Sequence, residues 1–280
     1  MKTKYFVNNN FFLITSLILL INFNLFFLTR NIYAYSDDLA DIMHYEFKKV
    51  ANAKANVIIT NEITSNSKKY KNLVNTLKKN KYNVFLYDIR GYNKSAYNKI
   101  ANDNLEILLK DLQKILIFLK NNQQLPNFLL GNMISGILNN CYILKYNDVN
   151  GVINIATPTT IFKSYFLDLK NNYKLNLIKN NLKINPIFIQ NVIIPGINYL
   201  NENLDKYNVP FLVLHGQKDS IVPYDNSTNF FTIVNAINKK MKLYENSAHD
   251  LFNDNNHQQV NTDIIEWLNQ QINKINFIHE

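Results

Sequence analysis

Past residue 56 the chain alternates short, mainly apolar runs with longer stretches in which apolar positions recur every three or four residues. The runs are 57–60 (VIIT), 84–87 (VFLY), 128–130 (FLL), 152–156 (VINIA) and 211–214 (FLVL). Continuous apolar character over so few residues predicts strands buried on both faces of a sheet. Residues 240–244 add another strand, and 41–47 read as an entry strand. Between the runs, 68–80 sets Leu73, Val74 and Leu77 on one stripe. Residues 105–120 carry Leu105, Leu108, Leu109, Leu112, Ile115 and Leu116, the spacing of a helix with one buried face. Helices are also predicted over 134–145, 228–237 and 262–275.

Strand and helix in alternation specify an α/β architecture: a mostly parallel central sheet with helices on both faces. Residues 157–208 break the rhythm. They are helical in flavour and hold no clear buried strand, so they read as a short helical cap inserted between two sheet strands. The expected organisation is one α/β domain over 35–280, with that cap at about 157–208.

Residues 1–34 are set apart by their own pattern. Lys2 and Lys4 precede an apolar run from Phe11 to Leu28. A basic flank before such a run is the mark of a secretory signal or an uncleaved anchor. Asn22 and Asn24 weaken it as a stable span, and Ile32-Tyr33-Ala34 offers a cleavage site. Arg30 counts against clean cleavage. The expectation is an exported protein, periplasmic or secreted, with membrane anchoring through this segment as the alternative.

Composition changes the picture in three ways. The chain has 280 residues, 47% of them hydrophobic, enough to bury a sizeable core. Its formal charge is +9, of which Lys2, Lys4 and Arg30 supply three. The rest is spread through segments such as KKYKN and KKNKYN. That is read as a solvated basic surface, the sharper alternative being attraction to anionic lipid or nucleic acid. No nucleic-acid motif supports a nucleic-acid partner. The single cysteine, Cys141, rules out an internal disulfide and a cysteine metal cluster. It falls in a predicted core helix, as a small apolar filler. His44, His257 and His279 have no metal-ligand spacing, and no glycine-rich phosphate loop is present. No metal or cofactor is therefore expected.

Four motifs carry the chemistry. Tyr87-Asp88-Ile89-Arg90-Gly91 forms a turn with Ser95 four residues beyond it. LPNFLLGNMISG runs from Leu125 to Gly136, LHGQKDSIVP from Leu214 to Pro223, and MKLYENSAHDLFND contains His249. In this order and at this spacing, from about residue 57 to the C-terminus, they resemble the α/β-hydrolases of the monoglyceride lipase and lysophospholipase type, also called the serine aminopeptidase S33 type. Such enzymes set a serine on a tight strand-to-helix turn, G-x-S-x-G, with a histidine base and an acid that orients it. The resemblance implies that Asp219 is the orienting acid and His249 the base. The nucleophile position, within Gly131-Asn132-Met133-Ile134-Ser135, is Met133.

A thioether has no acidic proton and forms no acyl-enzyme. Ser135 stands two helical residues downstream, about 3 Å of rise and roughly 200° of rotation away. Its hydroxyl is expected to face away from His249 and to bond local backbone. The family's His-Gly oxyanion loop is replaced by Asn61-Glu62, which brings a carboxylate toward a place where negative charge would develop. Asn132 stands where the family has His. His215, in the strand-end His-Gly, is expected to be structural.

The resemblance therefore implies a hydrolase-fold protein of the lysophospholipase group without serine-hydrolase chemistry, a pseudoenzyme whose pocket binds an acyl lipid or other apolar small ligand. A structural or decaying paralogue fits the same residues. The alternative is an active esterase or lysophospholipase with an unorthodox nucleophile.

Overall fold

The computed structural model describes residues 39–63, 67–95, 104–160 and 184–279. The apolar run at 11–28 and residues 161–183 of the predicted cap lie outside them. Among the described residues no helix is long and apolar enough to cross a membrane.

Seven strands form one sheet in the order β1-β3-β2-β4-β5-β6-β7. They are β1 (Tyr45–Lys48), β2 (Ala55–Asn61), β3 (Tyr82–Asp88), β4 (Asn127–Asn132), β5 (Gly151–Ile155), β6 (Phe211–Gly216) and β7 (Lys239–Tyr244). β1 runs antiparallel to β3 and every other pairing is parallel. The alternation of runs predicts this mostly parallel α/β sheet, and the fold is the α/β-hydrolase fold that the resemblance implies. Strands β2 to β6 are buried along their whole length, which is why their sequences are apolar without alternation.

Helices cover both faces. Helices α1 (Lys71–Lys79) and α6 (His257–His279) shield one, where Leu73, Leu77, Val260, Trp267 and Leu268 meet Val57, Ile59 and Phe128. Helices α2 (Leu105–Asn122) and α3 (Ile134–Tyr146) shield the other, packing Leu112, Ile115 and Tyr142 on Ile58, Phe85 and Leu129. Asn104 caps α2 by accepting from Ile107 N–H at 3.0 Å.

Within 157–208 the described residues are helical from Pro186 to Glu202, with α4 as the last part (Ile194–Glu202). The stretch Ile189–Ile193 is wound as a π-helix. Pro195 follows directly; it lacks an N–H and its ring crowds the carbonyl four residues earlier, so the wider turn relieves both. α4 packs on α3, where the thiol of buried Cys141 donates to Gly196 O at 3.2 Å. Cys141 is thus a core filler, and burial pushes its thiol up to about 12.

Two predicted boundaries move. The entry strand expected over 41–47 forms only at Tyr45–Lys48, because residues 39–42 close a helical turn with Met43 N–H bonded to Leu39 O at 2.9 Å. The helix expected over 228–237 is α5, Asp225–Ile233. It stops where Val234 becomes extended and buries its side chain. β7 is an outer strand, and its Lys239, Lys240 and Lys242 stand on that edge.

Candidate functional site

The motif residues gather at the C-terminal ends of the parallel strands. β4 ends at Asn132, α3 begins at Ile134, and Met133 alone makes the turn, with φ 55° and ψ −122°. These are the angles of the first central residue of a type II′ turn, which glycine favours. A side chain there costs on the order of 1–3 kcal/mol. Met133 N–H donates to Ile155 O at 2.8 Å, and Gly136 N–H to Met133 O at 3.0 Å. The tightness depends on glycine: a Cβ at Gly131 would lie 2.6 Å from Gly136 N. One at Gly136 would run into the Thr157 hydroxyl. The Met133 side chain is 3% exposed and belongs to the apolar cluster that includes Phe188, Val192 and Ile193.

Ser135 is fully buried, and its hydroxyl donates to Asn61 O at 3.3 Å. The bond to backbone was expected, but a local one; the carbonyl comes instead from β2, two strand ends meeting over the turn.

Asp219 lies just beyond β6. Its Oδ1 accepts the N–H groups of Ile221 and Val222 at 2.8 and 2.9 Å. Its Oδ2 lies 2.8 Å from His249 Nδ1 and 3.1 Å from His215 Nε2. Burial pushes this carboxyl up, but the hydrogen bonds from His215 and His249, with the His249 charge and the Val222 amide, outweigh it. The net effect holds Asp219 well below the usual carboxylate range.

The partners fix the His215 tautomer. Nε2 faces two acceptors, Asp219 Oδ2 and Val222 O at 2.9 Å, so it carries the proton. In that tautomer Nδ1 accepts from Ser227 O–H at 2.7 Å. For His249, Nδ1 donates to Asp219, and Nε2 is buried with no hydrogen-bond partner among the described residues. A neutral imidazole so arranged presents a lone pair, the form a general base needs.

Asn61 ends β2 and Glu62 follows it. The Asn61 amide donates to Asp88 Oδ1 at 2.6 Å, and Ser95 Oγ accepts His44 N–H at 2.7 Å. The Tyr-Asp-x-Arg-Gly turn is pinned further by Arg90 Nε on Asp111 Oδ2 at 2.8 Å. Glu62 is 4% exposed. Its Oε2 accepts Lys69 Nζ at 2.9 Å and Asn132 Nδ2 at 3.1 Å. Lys69 Nζ also lies 3.3 Å from Asp250 Oδ1. The Glu62 carboxylate is therefore neutralised, and Lys69 ties the loop after β2 to the loop carrying His249.

Of the residues singled out in the sequence, Asp219 and His249 are in direct contact, as are Glu62 and the Asn132 beside Met133. Three partners were missed: Ser227, Lys69 and the direct contact of His215 with Asp219. The last was signalled by the His-x-x-x-Asp spacing. Lys69 stood in a run of lysines that nothing in sequence ranks.

Comparison with known proteins agrees with the geometry. The family described as serine aminopeptidase, S33, matches residues 51–186 and again 183–256. The uncharacterized protein YfhR of Salmonella typhi is 24% identical over 74% of this chain and 68% of its own length. An uncharacterized abhydrolase domain-containing protein of Dictyostelium discoideum is 24% identical over 78% of this chain, which spans only 26% of that relative. Among solved structures, the Paleococcus ferrophilus monoacylglycerol lipase superposes with a TM-score of 0.66 at 18% identity, over 82% of this chain and 99% of its own. Saccharomyces cerevisiae monoglyceride lipase, solved with a substrate analog, gives 0.65 at 20%, over 82% and 91%. The chain belongs to the serine aminopeptidase S33 family of α/β-hydrolases.

Proposed function

We propose that this protein keeps the acid–base half of a serine hydrolase without its nucleophile, and that it binds an acyl lipid or similar apolar ligand rather than cleaving one. The observation that carries this reading is Met133 at the turn between β4 and α3, in the strained conformation of a nucleophile elbow. Its thioether has no proton to give to His249. Ser135 does not substitute for it, since its hydroxyl is engaged by Asn61 O. The Glu62–Lys69–Asn132 cluster, where the family has a glycine loop, supports the same reading: these side chains bond one another. In such hydrolases free backbone donors would await an oxyanion. An apolar ligand suits the methionine, a flexible polarizable contact for an acyl chain, and the apolar cluster that Met133 shares with 186–193. The yeast neighbour was solved with a substrate analog, and that likeness points to the same ligand class.

A fluorophosphonate probe tests the loss of chemistry. The wild type should stay unlabelled, while monoolein raises its melting temperature. Specific labelling that disappears in His249→Ala would sink the proposal. It would establish the second reading, a working esterase with an unorthodox nucleophile, which the retained Asp219–His249 pair favours.

A further inference from the structure

The opposite end of the sheet has a different character. β2 and β3 both start there, and Lys54 N–H bonds Lys81 O at 2.8 Å, so the two turns lie side by side. Lys78 and Lys79 end α1 at the same place. Lys54 Nζ reaches Asn269 Oδ1 on α6 at 3.1 Å. Lys274, just over one turn further along α6, donates to Asn238 Oδ1 at 3.1 Å, in the turn that opens β7. Lys54, Lys78, Lys79, Lys81 and Lys274 are all exposed. Among the described residues none of the five forms an ion pair with a carboxylate. On this part of α6 the exposed acid is Glu266, two turns before Lys274.

Two large apolar side chains stand out beside these lysines. Ile237, next to Asn238, is 102% exposed, and Phe277, three residues past Lys274, is 82% exposed. The Lys274–Asn238 bond brings their two segments together. Exposed apolar tips framed by unpaired lysines are what an interfacial membrane surface needs. The tips enter the acyl boundary while lysine stems lie along it and ammonium groups meet lipid phosphates. Nucleic acid would reward the lysines but gains nothing from an isoleucine, which cannot stack.

We propose that this end of the molecule, remote from the Asp219–His249 site, is a docking surface for an anionic lipid bilayer. It acts independently of the ligand proposed for the site itself.

The test uses the full chain and two sets of vesicles, phosphatidylcholine alone and phosphatidylcholine with about one-third phosphatidylglycerol. Any contribution from residues 11–28 is common to both sets, so the readout is the preference for anionic over neutral vesicles. The wild type should show at least a tenfold preference that salt abolishes. Changing Lys54, Lys81 and Lys274 together to Gln should reduce it by roughly fivefold or more, and Arg at the same positions should restore it. Ile237→Ser with Phe277→Ser should weaken binding to both vesicle types. Equal wild-type affinity for the two sets overturns the proposal, as does an unchanged preference in the Gln variant. RNA binding tighter than vesicle binding, and indifferent to the serine changes, would also overturn it.

Discussion

His215 and His249 share one acceptor oxygen: their ring nitrogens lie 3.1 and 2.8 Å from Oδ2 of Asp219. One histidine is buried with both ring nitrogens bonded; the other leaves its second nitrogen unbonded among the described residues. The carboxylate between them depends on both.

That dependence has a pH signature. The Asp219 carboxyl is held below its unfolded value, near 3.9. Its contribution to stability is therefore fully present above that value and is lost as pH falls through the lower folded one. Asp219→Asn should lower the melting temperature at pH 7. The gap to wild type should narrow steadily in melts below about pH 4. A gap that stays constant into acid would mean the loss is one of packing.

His215→Asn removes one donor to Asp219 and the acceptor of Ser227. The Asp219 carboxyl should then titrate higher, followed by its carboxyl carbon shift in NMR, because it has lost the His215 hydrogen bond that most lowers it. Ser227→Ala should move it in the same direction by less. An unmoved Asp219 titration would make His215 a packing residue only.

The turn at residue 133 should invert an ordinary preference. Glycine normally destabilises relative to alanine, but at φ 55° alanine keeps the strain and glycine sheds it. Both changes lose the buried thioether. Met133→Gly should nevertheless be more stable than Met133→Ala by about 1 kcal/mol in denaturant unfolding. The reverse order would count against a strained elbow.

Lys69 sits in a largely buried ion pair with Glu62. Lys69→Met should cost about 3–5 kcal/mol, since it removes the cation beside a buried carboxylate. Adding Glu62→Gln should recover part of that loss, and a double-mutant cycle measures the coupling. Strict additivity would deny the pair.

Much of this was legible in the chain. Strands buried on both faces announce themselves as unbroken apolar runs, and β2 to β6 began and ended within a few residues of expectation. The Asp219–His249 contact followed from motif order. Strand ends and turns were less legible, because partners distant in sequence decide them. Nothing near Ser135 in the chain says that its hydroxyl meets Asn61, 74 residues away. Glu62 read as an uncompensated charge because the lysine that neutralises it looks like any other in a lysine-rich chain. The split of 41–47 into a turn and a short strand reflects Leu39 and Met43, both buried, pulling the segment into the core before β1 starts.

The outer strand β7 bears on how copies of this protein can meet. Pairing two such edges to continue the sheet would set Lys239 and Lys240 against their counterparts across a spacing of about 5 Å, Lys242 being paired with Asp263 at 3.3 Å. Lys239 is held by the carbonyls of Phe231 and Val234, both at 2.6 Å, so it cannot simply swing aside. Repulsion at that seam closes the most direct route to fibrils and to strand-shared dimers. Self-association through this edge is therefore disfavoured.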